Sequence, residues 1–195
     1  MIEKFLKAKH WQIFVGVFGL PFLLELIFMP IFIESDKPGY MVGFMFIIMI
    51  IFIGGLFGWI WSVAIGLQKE IPLGINLKVR KFKIFLLIPI LYLSLMIIFI
   101  STGFGGSMQN IQELSGATIG SFIVIIVPLH FLSMFGIFYS LYFAAKTFKT
   151  VELQREVTFS DFAGEFFLFW FFPIGIWIIQ PKINNMIMDE NIKIN

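Results

Sequence analysis

The chain has 195 residues, of which 59% are hydrophobic and 13% charged, with a formal net charge of +2 and no cysteine. Its mean hydropathy of +0.95 implies more apolar surface than a single aqueous core can hide, which excludes an ordinary soluble domain. The missing cysteines exclude disulfides, thiolate chemistry and Cys-ligated metals, and so small a positive charge offers no basic patch for nucleic acid.

Lys4, Lys7 and Lys9 precede the first apolar stretch, residues 10–33, which only Glu25 interrupts. No small-residue cleavage site follows, so an uncleaved anchor is expected rather than a removed signal peptide. Residues 38–68, 84–112 and 114–145 each run without a charged side chain. About 20 apolar residues cover roughly 30 Å of hydrocarbon. The expectation is therefore an all-α, polytopic helical membrane protein of one domain, with spans near 11–33, 41–67, 84–101 and 119–145.

Lysine and arginine set the orientation, because positive residues stay on the cytoplasmic side of short loops. Lys4, Lys7 and Lys9, then Lys69, Lys78, Arg80, Lys81 and Lys83, then Lys146, Lys149 and Arg155 all fall on one side, whereas the alternate loops hold only Lys37. This predicts a multi-pass protein of the cytoplasmic (inner) membrane with a cytoplasmic N-terminus. Residues 146–157 read as a helical extension of span four into the cytoplasm, a solvated stem with Lys146 and Lys149 at headgroup level and Glu152 spaced three from Arg155.

The C-terminal segment, 162–180, is shorter. Phe166 to Ile179 gives fourteen consecutive apolar residues, about 21 Å of helix, and Pro173 would kink it. The segment is expected to be re-entrant, interfacial or a fifth membrane helix. Thr158 followed by Asp161 has the spacing of a capping box that opens a helix before it. From Phe159 the chain reads FSDFAGEFFLFWFFPIGIWIIQPKIN, which resembles the ending of uncharacterised small polytopic membrane proteins of bacteria; the resemblance implies no activity. Trp170, Pro173, Gly175, Trp177, Gln180 and Pro181 set a bend and a bare backbone position among aromatics. That composition suits a packed closing element, headgroup contact or a partner surface.

Gly54, Gly58, Ser62 and Gly66 recur every four residues on span two, and Gly136, Ser140 and Ala144 repeat the device on span four. Small residues let helix backbones approach closely, so these stripes predict helix contacts within the protomer or a homo-oligomeric seam. Glu25 and His130 are the ionisable residues within the hydrocarbon. Depths of about 12 and 13 Å from the outer span ends suggest a Glu–His pair, since an unpaired carboxylate there is costly. Pro21 and Pro128 lie nearby and would free backbone carbonyls as alternative acceptors.

No HExxH, GxSxG, P-loop or metal-spaced carboxylate cluster occurs, and the loop Gly105-Gly106-Ser107 with Gln109, Asn110, Gln112 and Glu113 reads as a solvated turn. No catalysis, cofactor or metal is expected. Lys78, Arg80, Lys81 and Lys83, interleaved with Leu77, Val79 and Phe82, suit a topogenic loop on anionic lipid headgroups. The expected role is a non-catalytic membrane subunit or assembly factor of an envelope complex, with a lipid bilayer and a protein partner or second copy around it. A small oligomeric transporter or channel using Glu25 and His130 is the alternative.

Overall fold

The computed structural model describes residues 2–34, 38–105 and 116–193. Among the described residues all regular structure is helical. The order is α1 (Ile2–Lys7), α2 (His10–Phe14), a π-helical turn (Val15–Gly19), α3 (Leu20–Ile33), α4 (Pro38–Gly66), a 3-10 turn (Leu67–Glu70), α5 (Val79–Gly105), α6 (Gly116–Leu153), α7 (Phe159–Trp170) and α8 (Phe172–Lys193). From α2 to α3 the chain forms one span. Four helical stretches, His10–Ile31, Gly43–Glu70, Val79–Ile98 and Ile123–Leu153, are long and apolar enough to cross a membrane. They are apolar around most of their circumference, as helices solvated by lipid are. The loop positions 106–115 and Lys37 lie outside the described residues.

Span one packs on α4, α5 packs on α6, and α4 meets α6. Burial is uneven along these helices. At the end where the basic residues gather, hereafter the basic end, Trp59, Ile60, Val63 and Ala64 of α4 and Leu67 of the 3-10 turn are buried against Phe82, Phe143, Ala144 and Phe148. Toward the far end, Leu23, Ile27 and Ile31, then Leu91, Leu95 and Ile98, then Val124 and Ile125 are exposed.

A buried amide holds the basic end together. Helix α1 stops at Lys7, and α2 restarts at His10 after an extended Lys9 whose N–H is met by Gln12 at 2.9 Å. The break leaves terminal carbonyls that need donors. Gln180 of α8, fully buried, supplies them: its Nε2 donates to the carbonyls of Phe5, Leu6 and Ala8 at 3.0, 3.1 and 2.9 Å. Its Oε1 accepts from the Trp59 indole at 2.8 Å. Asn184, one turn along α8, adds donations to Leu6 and Ala8 at 2.8 and 3.2 Å. The clamp joins the N-terminal helix, span two and the C-terminal helix.

The C-terminal segment is a hairpin of two helices rather than one short element. Thr158 and Asp161 do form the expected box, with the Thr158 N–H donating to the Asp161 carboxylate at 2.8 Å. Arg155 also binds that carboxylate, at 2.7 Å. Hydrogen bonds from the guanidinium first, and then from the Thr158 amide and hydroxyl, hold the Asp161 carboxyl well below the usual carboxylate range. Helix α7 ends at Phe171, whose φ of −86° and ψ of 60° leave the helical region. Pro173 therefore does not kink a continuous helix. It occupies the first turn of α8, where a missing N–H has no helical acceptor to lose. At Gly175 a Cβ would run into the Leu168 carbonyl, so the two arms cross where only glycine fits.

Both arms return to the basic end. Lys149 of α6 donates to Glu152 at 2.7 Å and to Glu165 of α7 at 2.8 Å, while Lys182 of α8 binds the other Glu152 oxygen at 2.7 Å. With Asp161 beside Arg155 and Lys182 beside Glu152, the hairpin enters and leaves on one side, as a re-entrant or interfacial element does. It is not among the four stretches long and apolar enough to cross.

The 146–157 extension differs from a solvated stem. Helix α6 stops at Leu153, where Gln154 turns the chain with a φ of 49° and donates to the carbonyls of Val151 and Glu70 at 2.8 and 3.2 Å. Thr147, Phe148, Thr150 and Val151 are buried under the hairpin. Residues at such helix surfaces follow the apolar face they cover, and the hairpin supplied that cover.

Replacing Gln180 with Leu is expected to cost on the order of 3 kcal/mol, because the Trp59 N–H and the Phe5 carbonyl lose their partners in a buried setting. Thermal unfolding of the purified variant in detergent measures this; an unchanged midpoint would refute the clamp.

Candidate functional site

The small-residue stripes do not each serve one seam. A four-residue step advances about 400°, so each repeat drifts roughly 40° around the helix. Gly66 accordingly faces α1, where a Cβ would meet Leu6 and Ile2, and at Gly58 a Cβ would stand 3.2 Å from the Phe5 ring. Gly54, at the other end, has nothing within 4 Å of the point where a Cβ would stand. It borders an open apolar groove of about 360 Å³ between α4 and α5, beside Ile90, Leu93 and Ser94. Gly136 makes the closest approach on span four, 2.6 Å from a Cβ position to the Phe85 carbonyl. Ser140 and Ala144 continue that face and are buried.

Glu25 and His130 do not meet. His130 pairs with Tyr92 of α5, the Tyr92 hydroxyl lying 3.1 Å from Nδ1 and the rings 5.6 Å apart edge to face. Leu93 and Ser94, next to Tyr92, share a groove with Gly54, whereas Glu25 is flanked by Met45 and Met49. Along α4 that offset of about seven residues amounts to roughly 10 Å. The equal depths expected from span ends fail because the spans start at different heights; α6 already begins at Gly116.

Glu25 lines a groove of about 470 Å³ between spans one and two. Two contacts bracket it. On the basic side Val17 presses on Gly55, 2.6 Å from a Cβ position, and on the far side the Phe28 and Phe44 rings lie 5.3 Å apart. Between them the helices separate. Phe18, Phe22, Phe46 and Phe52 line the opening, with Phe18 stacked on Phe22 at 6.0 Å and edge-on to Phe52 at 6.5 Å. The π-helical turn Val15–Gly19 adds a residue to span one just before this wall, a distortion common at functional positions. Pro21 follows and cannot donate to the preceding turn. Among the described residues Glu25 makes no hydrogen bond or ion pair, so neither the expected histidine nor a freed carbonyl serves it.

Three serine hydroxyls in the spans are spent locally. Ser62 donates to the Gly58 carbonyl at 2.7 Å, Ser94 to Ile90 at 2.8 Å and Ser140 to Gly136 at 2.8 Å. Back-bonding of this kind satisfies a hydroxyl within its own helix. The C-terminal candidates divide. Gln180 and Gly175 are consumed by the clamp and the hairpin crossing. Pro181 lines a shallow recess with Leu6 and Asn184. Trp170 and Trp177 remain half exposed, Trp170 against Phe138 at 4.8 Å and Trp177 against His10 at 4.6 Å. Lys78, Arg80, Lys81 and Lys83 are exposed around the buried Phe82, and the Lys83 ammonium sits 5.8 Å above the Trp61 ring.

Tyr92, Asn184 and the four-phenylalanine wall were not singled out from the sequence. Phe18, Phe22 and Glu25 do follow an i, i+4, i+7 spacing on span one, a signal masked because the whole span is apolar. Among the described residues no cluster of three metal-ligating side chains occurs. No protein-family model, curated protein or solved structure matches the chain.

His130→Phe and Tyr92→Phe are each expected to lose one hydrogen bond, about 1 kcal/mol, with the double variant no worse than either single. A double-mutant cycle on thermal stability checks this; fully additive losses would show that the pair is not coupled.

Proposed function

We propose that this chain is a non-catalytic integral subunit or assembly factor of a larger membrane complex in a bacterial cytoplasmic membrane, with its N-terminus inside. The observation that carries the reading is the contrast between the two ends of the bundle. At the basic end Gly58 and Gly66 of α4 and the amides of Gln180 and Asn184 are used up in internal contacts, whereas Gly54, further along α4, borders the α4–α5 groove with nothing against it. In lipid, helices associate through close backbone approach at small residues, and Gly54 with Ser94 at the rim offers that to a helix from outside the chain. The half-exposed Trp170, Phe171, Ile174 and Trp177 of the hairpin suit the headgroup layer, and Lys78, Arg80, Lys81 and Lys83 suit anionic lipid beside them.

Proton-linked transport through Glu25 and His130 is less well supported. The two sit on different helix pairs at different depths, and the hydroxyls that would continue a relay bond their own helices.

Purification in mild detergent at native expression is expected to bring down a companion membrane protein. Gly54→Leu is expected to release that companion while leaving the thermal midpoint of the chain within about 2 °C, since the added side chain meets open space. Recovery of a lone protomer from wild type would overturn the subunit reading.

A further inference from the structure

The groove between spans one and two differs in chemistry from the α4–α5 seam. It combines one carboxylate with four phenylalanine rings and two methionine thioethers, and among the described residues no basic side chain lines it. A charged group inside the bilayer is kept only where it is paired or functional, and the partner that Glu25 lacks among the described residues must be a donor or a cation. The rings narrow the choice. Aromatic faces attract cations electrostatically, most strongly where water is excluded, while they bury apolar bodies equally well. The thioethers add polarisable, adaptable surface. A volume of about 470 Å³ is in the range of sites that enclose a drug-sized molecule, roughly 300–1,000 Å³. The opening is lateral, since Phe22 and Met45 at its rim are exposed on the lipid-facing side of their helices, so an occupant reaches it from within the bilayer.

We propose that this groove binds a lipophilic organic monocation, an apolar body carrying one delocalised or ammonium charge, with Glu25 as counter-ion and Phe18, Phe22, Phe46 and Phe52 as the enclosing wall. The π-helical turn and Pro21 serve the site by separating the two helices there: within the turn Val17 closes on Gly55, and from Phe18 onward the wall opens. The site is complete within one protomer and does not depend on the subunit reading, so the test uses the full-length chain purified alone.

Tetraphenylphosphonium and tetraphenylborate share a shape and differ in the sign of charge, which makes them the probes. In lipid nanodiscs the wild-type chain is expected to bind tetraphenylphosphonium at least about tenfold more tightly than tetraphenylborate. Glu25→Gln is expected to erase that preference while keeping the wild-type thermal midpoint, and Glu25→Asp to retain part of it. Phe18→Ala is expected to weaken the cation severalfold with Glu25 intact. Equal binding of the two probes by the wild type, or an unchanged preference in Glu25→Gln, would overturn the site. So would a preference that survives both substitutions, since the cation would then be held elsewhere.

Discussion

Backbone carbonyls left open at a helix break need donors, and the buried ones at the break between α1 and α2 are met from within the chain. Gln180 does most of this, and the rest of the basic end is arranged by it. It draws α8 against the N-terminal helix, which fixes where Trp59 must point, and Trp59 in turn is packed by Phe169 at 4.9 Å and Phe172 at 5.4 Å, one on each arm of the hairpin. The Lys149, Glu152, Glu165 and Lys182 network closes the other edge. Because breaking one member of a partly buried ion pair leaves its partner uncompensated, this network specifies the docking of α7 and α8 more than it adds stability.

The consequence is a molecule with one finished end and one unfinished end. Close contacts at Gly66, Gly136 and Gly175 belong to the finished part: Gly66 takes the Leu6 and Ile2 side chains, while Gly136 and Gly175 meet a backbone carbonyl of a neighbouring helix. Away from it Gly54 faces open space, and the two lateral grooves have distinct lining: mostly aliphatic, with two glycines, Ser94, Phe57 and Trp61, between α4 and α5, and four phenylalanines with a carboxyl group between spans one and two. A helix and a cation are different demands on a surface. The two grooves, of different chemistry, lie on different faces of α4.

Much of the fold was legible from residues alone. The spans follow from length and hydropathy, and the Thr158–Asp161 box correctly marked the start of α7. The turn at Phe171 was not legible, because an unbroken run from Phe166 to Ile179 hides a break that tertiary contacts impose; only the adjacent Pro173 hinted at it. The solvated stem failed for the same reason, since Phe148 and Val151 are buried by a hairpin that lies later in the chain. Of the site, Glu25 was visible as a charge out of place. Its pairing with His130 was not decidable, because depth counted from span ends ignores the differing starts of the helices, and neighbouring spans cannot be told from a sequence that is apolar all round. The four-residue glycine spacing was visible, yet the rotation of successive positions split its members between α1 and the open groove.

The central claim is that Gln180 fastens α8 to the N-terminal helix, so that the hairpin returns to the side it left. The chain lacks cysteine, which makes single-cysteine accessibility the most direct measurement. Lys78→Cys, Ser160→Cys and Asn185→Cys, each at an exposed position, should all react with a membrane-impermeant maleimide from one face of sealed vesicles and resist it from the other. Labelling of position 185 from the face opposite to position 160 would mean that the segment crosses the bilayer, and the clamp could not exist.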